Sequence, residues 1–184
     1  YHSGDKWRDY FRSTMAHNTV RIDMLDQSEM TGPFLWGYKA KSCLKYWSPD
    51  GGIDKICGYH KGYTRLKDPV THERELTLNK LKGEIIIKDS IFAKGKHFLE
   101  QFFHLHPDCA LKQIGSNVFE ITSAKAVLFI EFDKALNVSI LKGSKEPICG
   151  WYSEKFGKKI ETFTFCAKNY FVGDRELITK ISTR

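Results

Sequence analysis

Hydrophobic and polar positions alternate along much of this chain. Residues 17–23 put His17, Thr19, Arg21 and Asp23 on one side and Asn18, Val20 and Ile22 on the other. That period of two predicts a half-buried strand with His17 on its polar face. The aromatic and small residues of 34–47 predict one or two strands, followed by a turn at Gly51-Gly52. Residues 56–66 and 70–78 read as a long hairpin joined at Lys67-Asp68-Pro69, where Asp-Pro favours the turn. Further strands are expected at 84–88, 98–105, 118–121, 137–141 and 161–167, with Lys94-Gly95-Lys96 as a break. Residues 126–132 are almost continuously apolar, which predicts a central strand buried on both faces.

Strands recurring about every ten residues, with turn residues between them, predict an all-β fold, a large antiparallel β-sandwich. No substantial helix, repeat or low-complexity segment is apparent, so residues 1–184 are expected to form one domain. A chain of 21.3 kDa buries roughly 70% of its unfolded surface, enough for a true core.

Lys and Arg number 29 against 22 Asp and Glu, a net charge of +7 that favours a polyanionic partner. The basic residues are scattered, as in Lys39, Lys41, Lys45, Lys80, Lys82 and Lys88, without a dense cluster, so no nucleic-acid partner is expected. No apolar run reaches the roughly 18 residues of a membrane-spanning helix, so membrane insertion is not expected either. Five widely spaced cysteines without a CxxC pair argue against a disulfide framework or zinc knuckle.

Several motifs carry candidate chemistry. His17 lies in the run from Arg8 to Asp23, centred on Ala16-His17-Asn18-Thr19-Val20 and followed by Asp26-Gln27-Ser28-Glu29. An imidazole there can ligate a metal, act as a base, donate to substrate, or simply hydrogen-bond within the fold. Arg8 and Arg12 could clamp a carboxylate with paired hydrogen bonds. Tyr10 could act as a general acid or base if its pKa were depressed. His60-Lys61-Gly62-Tyr63 and Thr71-His72-Glu73-Arg74 lie on the two arms of the expected hairpin, which would let His60 and His72 approach. Tyr63 could offer its ring to a sugar. Phe103-His104-Leu105-His106-Pro107-Asp108 holds a His-x-His pair, and Gly150-Trp151-Tyr152-Ser153 reads as packing between sheets.

From about residue 2 to 158, these motifs resemble the C-terminal β-sandwich of heparinase II/III-like polysaccharide lyases, a super-sandwich fold. The resemblance implies β-elimination on a uronate-containing polysaccharide: the proton at C5 is removed, the bond to O4 breaks, and an unsaturated uronate remains. It also implies an α-helical toroid domain upstream, so that the chain is expected to be incomplete and inactive alone. His17 would be the last of three protein ligands to zinc, with a histidine and an aspartate preceding Tyr1. Tyr10 (or Tyr1) would be the catalytic tyrosine, and Arg8, Arg12, His60 and Tyr63 would contact substrate. The partner would be an acidic polysaccharide, met in the periplasm or outside the cell. Three other readings stay open: a non-catalytic carbohydrate-binding sandwich with Trp36, Tyr38, Tyr46, Trp47 and Tyr63 as its platform, a metal-dependent β enzyme built on His60, His72, His104 and His106, and a purely structural packing domain that binds neither metal nor glycan.

Overall fold

A computed structural model describes residues 5–155 and 157–183. The helix α1 (Asp5–Arg12) and a 3-10 turn (Thr14–Ala16) precede the strands β1 (Val20–Ile22), β2 (Ser42–Ser48), β3 (Ile53–His60), β4 (Thr71–Asn79), β5 (Glu84–Phe92), β6 (Lys96–His104), β7 (Ala110–Gln113), β8 (Val118–Thr122), β9 (Val127–Glu131), β10 (Asn137–Lys142), β11 (Phe163–Val172) and β12 (Arg175–Thr183). They build an eight-stranded sheet, in the order β2-β3-β4-β5-β12-β9-β8-β7, and a four-stranded sheet, β1-β6-β11-β10. Neighbouring strands pair antiparallel in both. The fold is an all-β sandwich with little helix.

The core follows from strand alternation. Ile87 and Ile91 of β5, Leu177 of β12, Ile130 of β9 and Phe119 of β8 meet Leu99 and Phe103 of β6 and Phe165 of β11. Between the sheets the rings of Phe119 and Phe132 lie 4.9 and 5.2 Å from that of Phe165, tilted so that edges meet faces. On β6 both faces are covered. Leu99, Gln101 and Phe103 point to the core, whereas Glu100 and Phe102 lie under Arg21 of β1. The helix α1 packs through Trp7, whose ring meets Trp151 edge-on at 4.8 Å.

Eight strands cannot be covered by four. The β2–β3 side of the larger sheet therefore extends past the smaller one, and every residue of β2 is exposed. This overhang makes the groove described below. The hairpin expected around Lys67-Asp68-Pro69 is present, with His60 directly opposite His72, although the connection is longer and runs from 61 to 70.

Three expectations need correction. The apolar run 126–132 forms β9, interior to its sheet, yet Val127 and Glu131 at its ends are exposed. The four-stranded sheet covers one of its faces and solvent meets the other. The strand expected at 17–23 begins only at Val20, and His17 closes the 3-10 turn on an exposed loop. Thr14 fixes that turn: its N–H donates to Asp26 Oδ1 at 2.7 Å and its hydroxyl accepts from the Gln27 N–H at 2.8 Å. Finally, the strand expected at 161–167 begins at Phe163 and runs on to Val172 as β11, and β7 and β12 were not foreseen.

Phe165 is wholly buried against two other rings. Phe165→Ala should destabilise the domain by about 3–5 kcal/mol, measured as the shift in urea midpoint. A loss below about 1 kcal/mol would place the packing centre elsewhere.

Candidate functional site

Asp89 sits on the inward face of β5 between Ile87 and Ile91, with none of its surface exposed. A carboxylate so placed must be compensated. His72 Nε2 lies 2.6 Å from Oδ1, and Arg74 donates Nε to Oδ1 at 2.7 Å and Nη2 to Oδ2 at 2.9 Å. Gln101, from the facing sheet, donates Nε2 to Oδ2 at 2.7 Å, while its own Oε1 accepts from the Thr179 hydroxyl at 3.2 Å. Burial pushes the Asp89 pKa up, but the Arg74 guanidinium and His72 outweigh it and hold the carboxyl well below the usual range.

The histidines continue this chain toward solvent. The Gly62 N–H donates to His60 Nδ1 at 3.1 Å, so the His60 proton resides on Nε2, which lies 3.2 Å from His72 Nδ1. His72 then carries its own proton on Nε2, toward Asp89. Every ring nitrogen is used, and all the donors run in one direction. This relay accordingly has no nitrogen left to take a proton from a substrate. Burial, with the Arg74 charge and the His72 ring beside it, pushes the His60 pKa down to about 4.

His60, His72 and Arg74 wall one side of an open groove of ≈ 370 Å³ whose floor is Leu44, Ile56 and Leu76. Beyond Arg74 a second cavity of ≈ 420 Å³ is lined by His17, Asn18, His104, His106 and Tyr152. Among the described residues the His17 ring has no hydrogen-bond partner, whereas the rings of His60, His72, His97 and His104 each use both nitrogens. His104 donates Nε2 to the Met15 carbonyl at 3.0 Å and accepts from the Thr164 hydroxyl at 2.8 Å, and burial pushes its pKa down to about 4. Among the described residues, no group of three His, Cys, Asp or Glu side chains could hold a metal. His60 and His72 line the groove and His104 and His106 the second cavity, so the four do not gather around one point.

The other candidates are placed as follows. Arg8 donates to the Pro33 carbonyl and stacks on Phe34, while Arg12 donates to the Gly32 and Pro33 carbonyls and stacks on Trp36. Both guanidiniums thus brace the 32–36 loop. Tyr10 is 4% exposed, its hydroxyl has no hydrogen-bond partner, and burial raises its pKa, the opposite of what a tyrosine base needs. Tyr1 lies outside the described residues. Tyr63 is fully buried with its hydroxyl on the Val20 carbonyl, which leaves no face for a sugar. Tyr46 pairs with Cys57 and Trp47 with Ile56 across neighbouring positions of β2, so the two rings fall on opposite faces of the sheet. Asp89 and Gln101 were missed in the sequence. Their signal was a carboxylate inside Ile85-Ile86-Ile87-Lys88-Asp89-Ser90-Ile91 and an amide inside Phe98-Leu99-Glu100-Gln101-Phe102-Phe103.

A family model described as heparinase II/III-like, C-terminal, matches residues 1–180. The chain belongs to this family. Among solved structures, the heparinase II/III-like C-terminal chain is similar to the heparan sulfate lyase HepC from Pedobacter heparinus, with 16% identity and a TM-score of 0.76 over 98% of this chain and 26% of that one. It is also similar to the heparinase III BT4657 gene product, at 17% identity and a TM-score of 0.76 over 100% of this chain and 27% of that one. A 4-α-glucanotransferase from Thermococcus litoralis shares the architecture more loosely, with 15% identity and a TM-score of 0.50 over 76% of this chain and 22% of that one. At these identities the likeness speaks for the fold. This chain spans about a quarter of the length of the solved proteins that it matches. No curated protein sequence matches it.

The depressed histidines give this heparinase II/III-like domain a pH dependence. His60 and His104 stay neutral when folded until the pH approaches 4, whereas unfolded histidine takes up its proton near 6.5. The unfolded state therefore binds more protons between those values, and stability falls as pH drops from about 6.5 toward 4, by up to about 3 kcal/mol per histidine. Denaturant midpoints at intervals from pH 7.5 to 4.5 should show the decline. His60→Gln should reduce its slope, and an unchanged midpoint across the range would contradict the buried neutral histidines.

Proposed function

We propose that the chain is the β-sandwich part of a polysaccharide lyase that cleaves a uronate-containing glycan by β-elimination, with His17 as its contribution to the site. One observation carries this reading: among the described histidines, His17 is the one whose ring nitrogens are both free of hydrogen bonds, and it stands exposed beside a cavity. The family match and the lyase neighbours support a polysaccharide lyase, and the net charge of +7 suits an acidic glycan.

β-Elimination requires a base at C5, relief of charge on the uronate carboxylate, and a proton for the departing O4. Arg8 and Arg12 are tied to loop carbonyls, and the His60–His72 relay has no open nitrogen. Much of that work accordingly falls to residues elsewhere in the polypeptide, in an α-helical toroid domain that forms the other wall of the cleft. There a second histidine and an aspartate join His17 as zinc ligands. An exposed imidazole with both ring nitrogens open is a suitable donor for such a site. Zinc bound there supplies positive charge next to the anionic substrate. The glycan would be met in the periplasm or outside the cell.

A non-catalytic glycan-binding role is the second reading, favoured by the apolar groove next to the half-exposed Trp47. Absorbance from newly formed unsaturated uronate ends separates the two. The isolated chain should give no turnover on heparan-type or other uronate polymers, whereas the full polypeptide should. In that polypeptide His17→Ala should lower turnover by about a hundredfold or more. Unchanged turnover in the variant would remove His17 from the site. Saturable glycan binding without turnover would favour the binding module.

A further inference from the structure

Arg74 links the two cavities through a hydrogen bond. It lines the apolar groove, and its Nη1 donates to the main-chain carbonyl of Asn18 at 2.6 Å, on the rim of the cavity that holds His17. Its other donors, Nε and Nη2, grip the two oxygens of Asp89 side by side. A planar guanidinium held by such a fork cannot swing, so the direction of the remaining Nη1 is fixed by the buried carboxylate.

Asn18 is gripped from the other sheet as well. The His104 N–H donates to its side-chain Oδ1 at 2.8 Å. Next to it, the His17 N–H donates to the Thr14 carbonyl at 3.2 Å and the His17 carbonyl accepts from the Thr19 N–H at 2.9 Å. The Thr19 carbonyl in turn accepts from the Phe102 N–H at 3.0 Å. The main chain around His17 is therefore confined, which leaves its side-chain torsions free.

We infer that Arg74 is a positioning residue for His17: anchored on Asp89, it holds the Asn18 carbonyl and so fixes where the His17 imidazole is presented. The inference rests on the proposed role of His17 and deepens it. It also accounts for an arginine at this place. A lysine is a single point charge and can reach Asp89 or the Asn18 carbonyl, whereas the fork reaches both. Removing Arg74 leaves Asp89 the His72 and Gln101 hydrogen bonds but takes away the guanidinium charge, so some loss of stability accompanies the local effect.

The test is hydrogen exchange and histidine ring resonances by NMR on this chain, comparing wild type with Arg74→Gln and Arg74→Lys. In both variants the Thr19 amide should exchange at least roughly tenfold faster, the scale of one lost charge-assisted hydrogen bond. The His17 ring signals should shift with it, while the amides of Leu99 and Phe165 accelerate by a clearly smaller factor. Two results would overturn the inference. One is wild-type behaviour of Thr19 and His17 in Arg74→Gln. The other is acceleration of Leu99 and Phe165 by the same factor, which would make Arg74 a general stabiliser. Neither readout involves glycan or metal. Failure here thus leaves the lyase reading standing, and retained turnover in His17→Ala removes that reading without touching the measured order of the loop.

Discussion

The structure is organised around one charge that water cannot reach. Moving a carboxylate such as Asp89 into an apolar sheet interface costs several kcal/mol unless donors replace its hydration. Here the donors come from β4 and β6, and Thr179 of β12 orients one of them. Since β6 belongs to the opposite sheet, the Asp89–Gln101 bond at 2.7 Å and the Thr179–Gln101 bond at 3.2 Å are polar ties across a largely apolar core. It constrains how the two sheets sit on one another, because a slide by one strand residue would turn Gln101 away and strand the charge. Apolar contacts alone tolerate such slides more readily than a buried ion does.

The same logic recurs at the far end of β6. His97, almost wholly buried, places Nδ1 2.7 Å from Asp23 and Nε2 3.2 Å from Asp68. Asp23 also accepts from the Phe98 N–H, and Asp68 from the Gly95 N–H. One strand thus carries Gln101 toward Asp89 on the preceding strand, and His97 toward Asp23 and Asp68 on segments farther away in sequence. The consequence for function is that most histidines and arginines near the cavities are committed to the fold. What remains uncommitted is informative by contrast, and His17 is the clearest case.

How far the sequence reveals this depends on the kind of signal. The all-β architecture is legible because alternation and turn residues are local properties. The approach of His60 to His72 is legible too, since a hairpin closed near Lys67-Asp68-Pro69 sets them opposite each other. Burial of a motif residue is not local. Tyr63 and Tyr10 look like surface chemistry in a polar stretch, yet both are covered by segments distant in sequence. The beginning of β1 was misplaced because alternation through His17 and Asn18 ignores Thr14, whose bonds to the 26–27 segment hold a turn there. Asp89 escaped attention for a related reason. A lone acid in an apolar strand reads as an interruption until its partners, 12 to 17 residues away, are seen around it.

The sandwich itself does not choose a reaction. A loosely similar architecture occurs in a 4-α-glucanotransferase, so chemistry has to be argued from side chains. In this chain the side chains divide sharply. One set, around Asp89 and His97, has every polar atom satisfied and serves to rigidify. Apart from that set stands the exposed imidazole of His17, on a loop clamped by β4 and β6. The proposed role of His17, to meet a partner from outside this domain, would benefit from that division. The entropy of ordering its loop is lost during folding, not when the cleft is assembled. A free histidine on a loose loop would carry no such implication. A free histidine whose neighbouring peptide is held at 2.6 Å by a guanidinium locked to a buried carboxylate does.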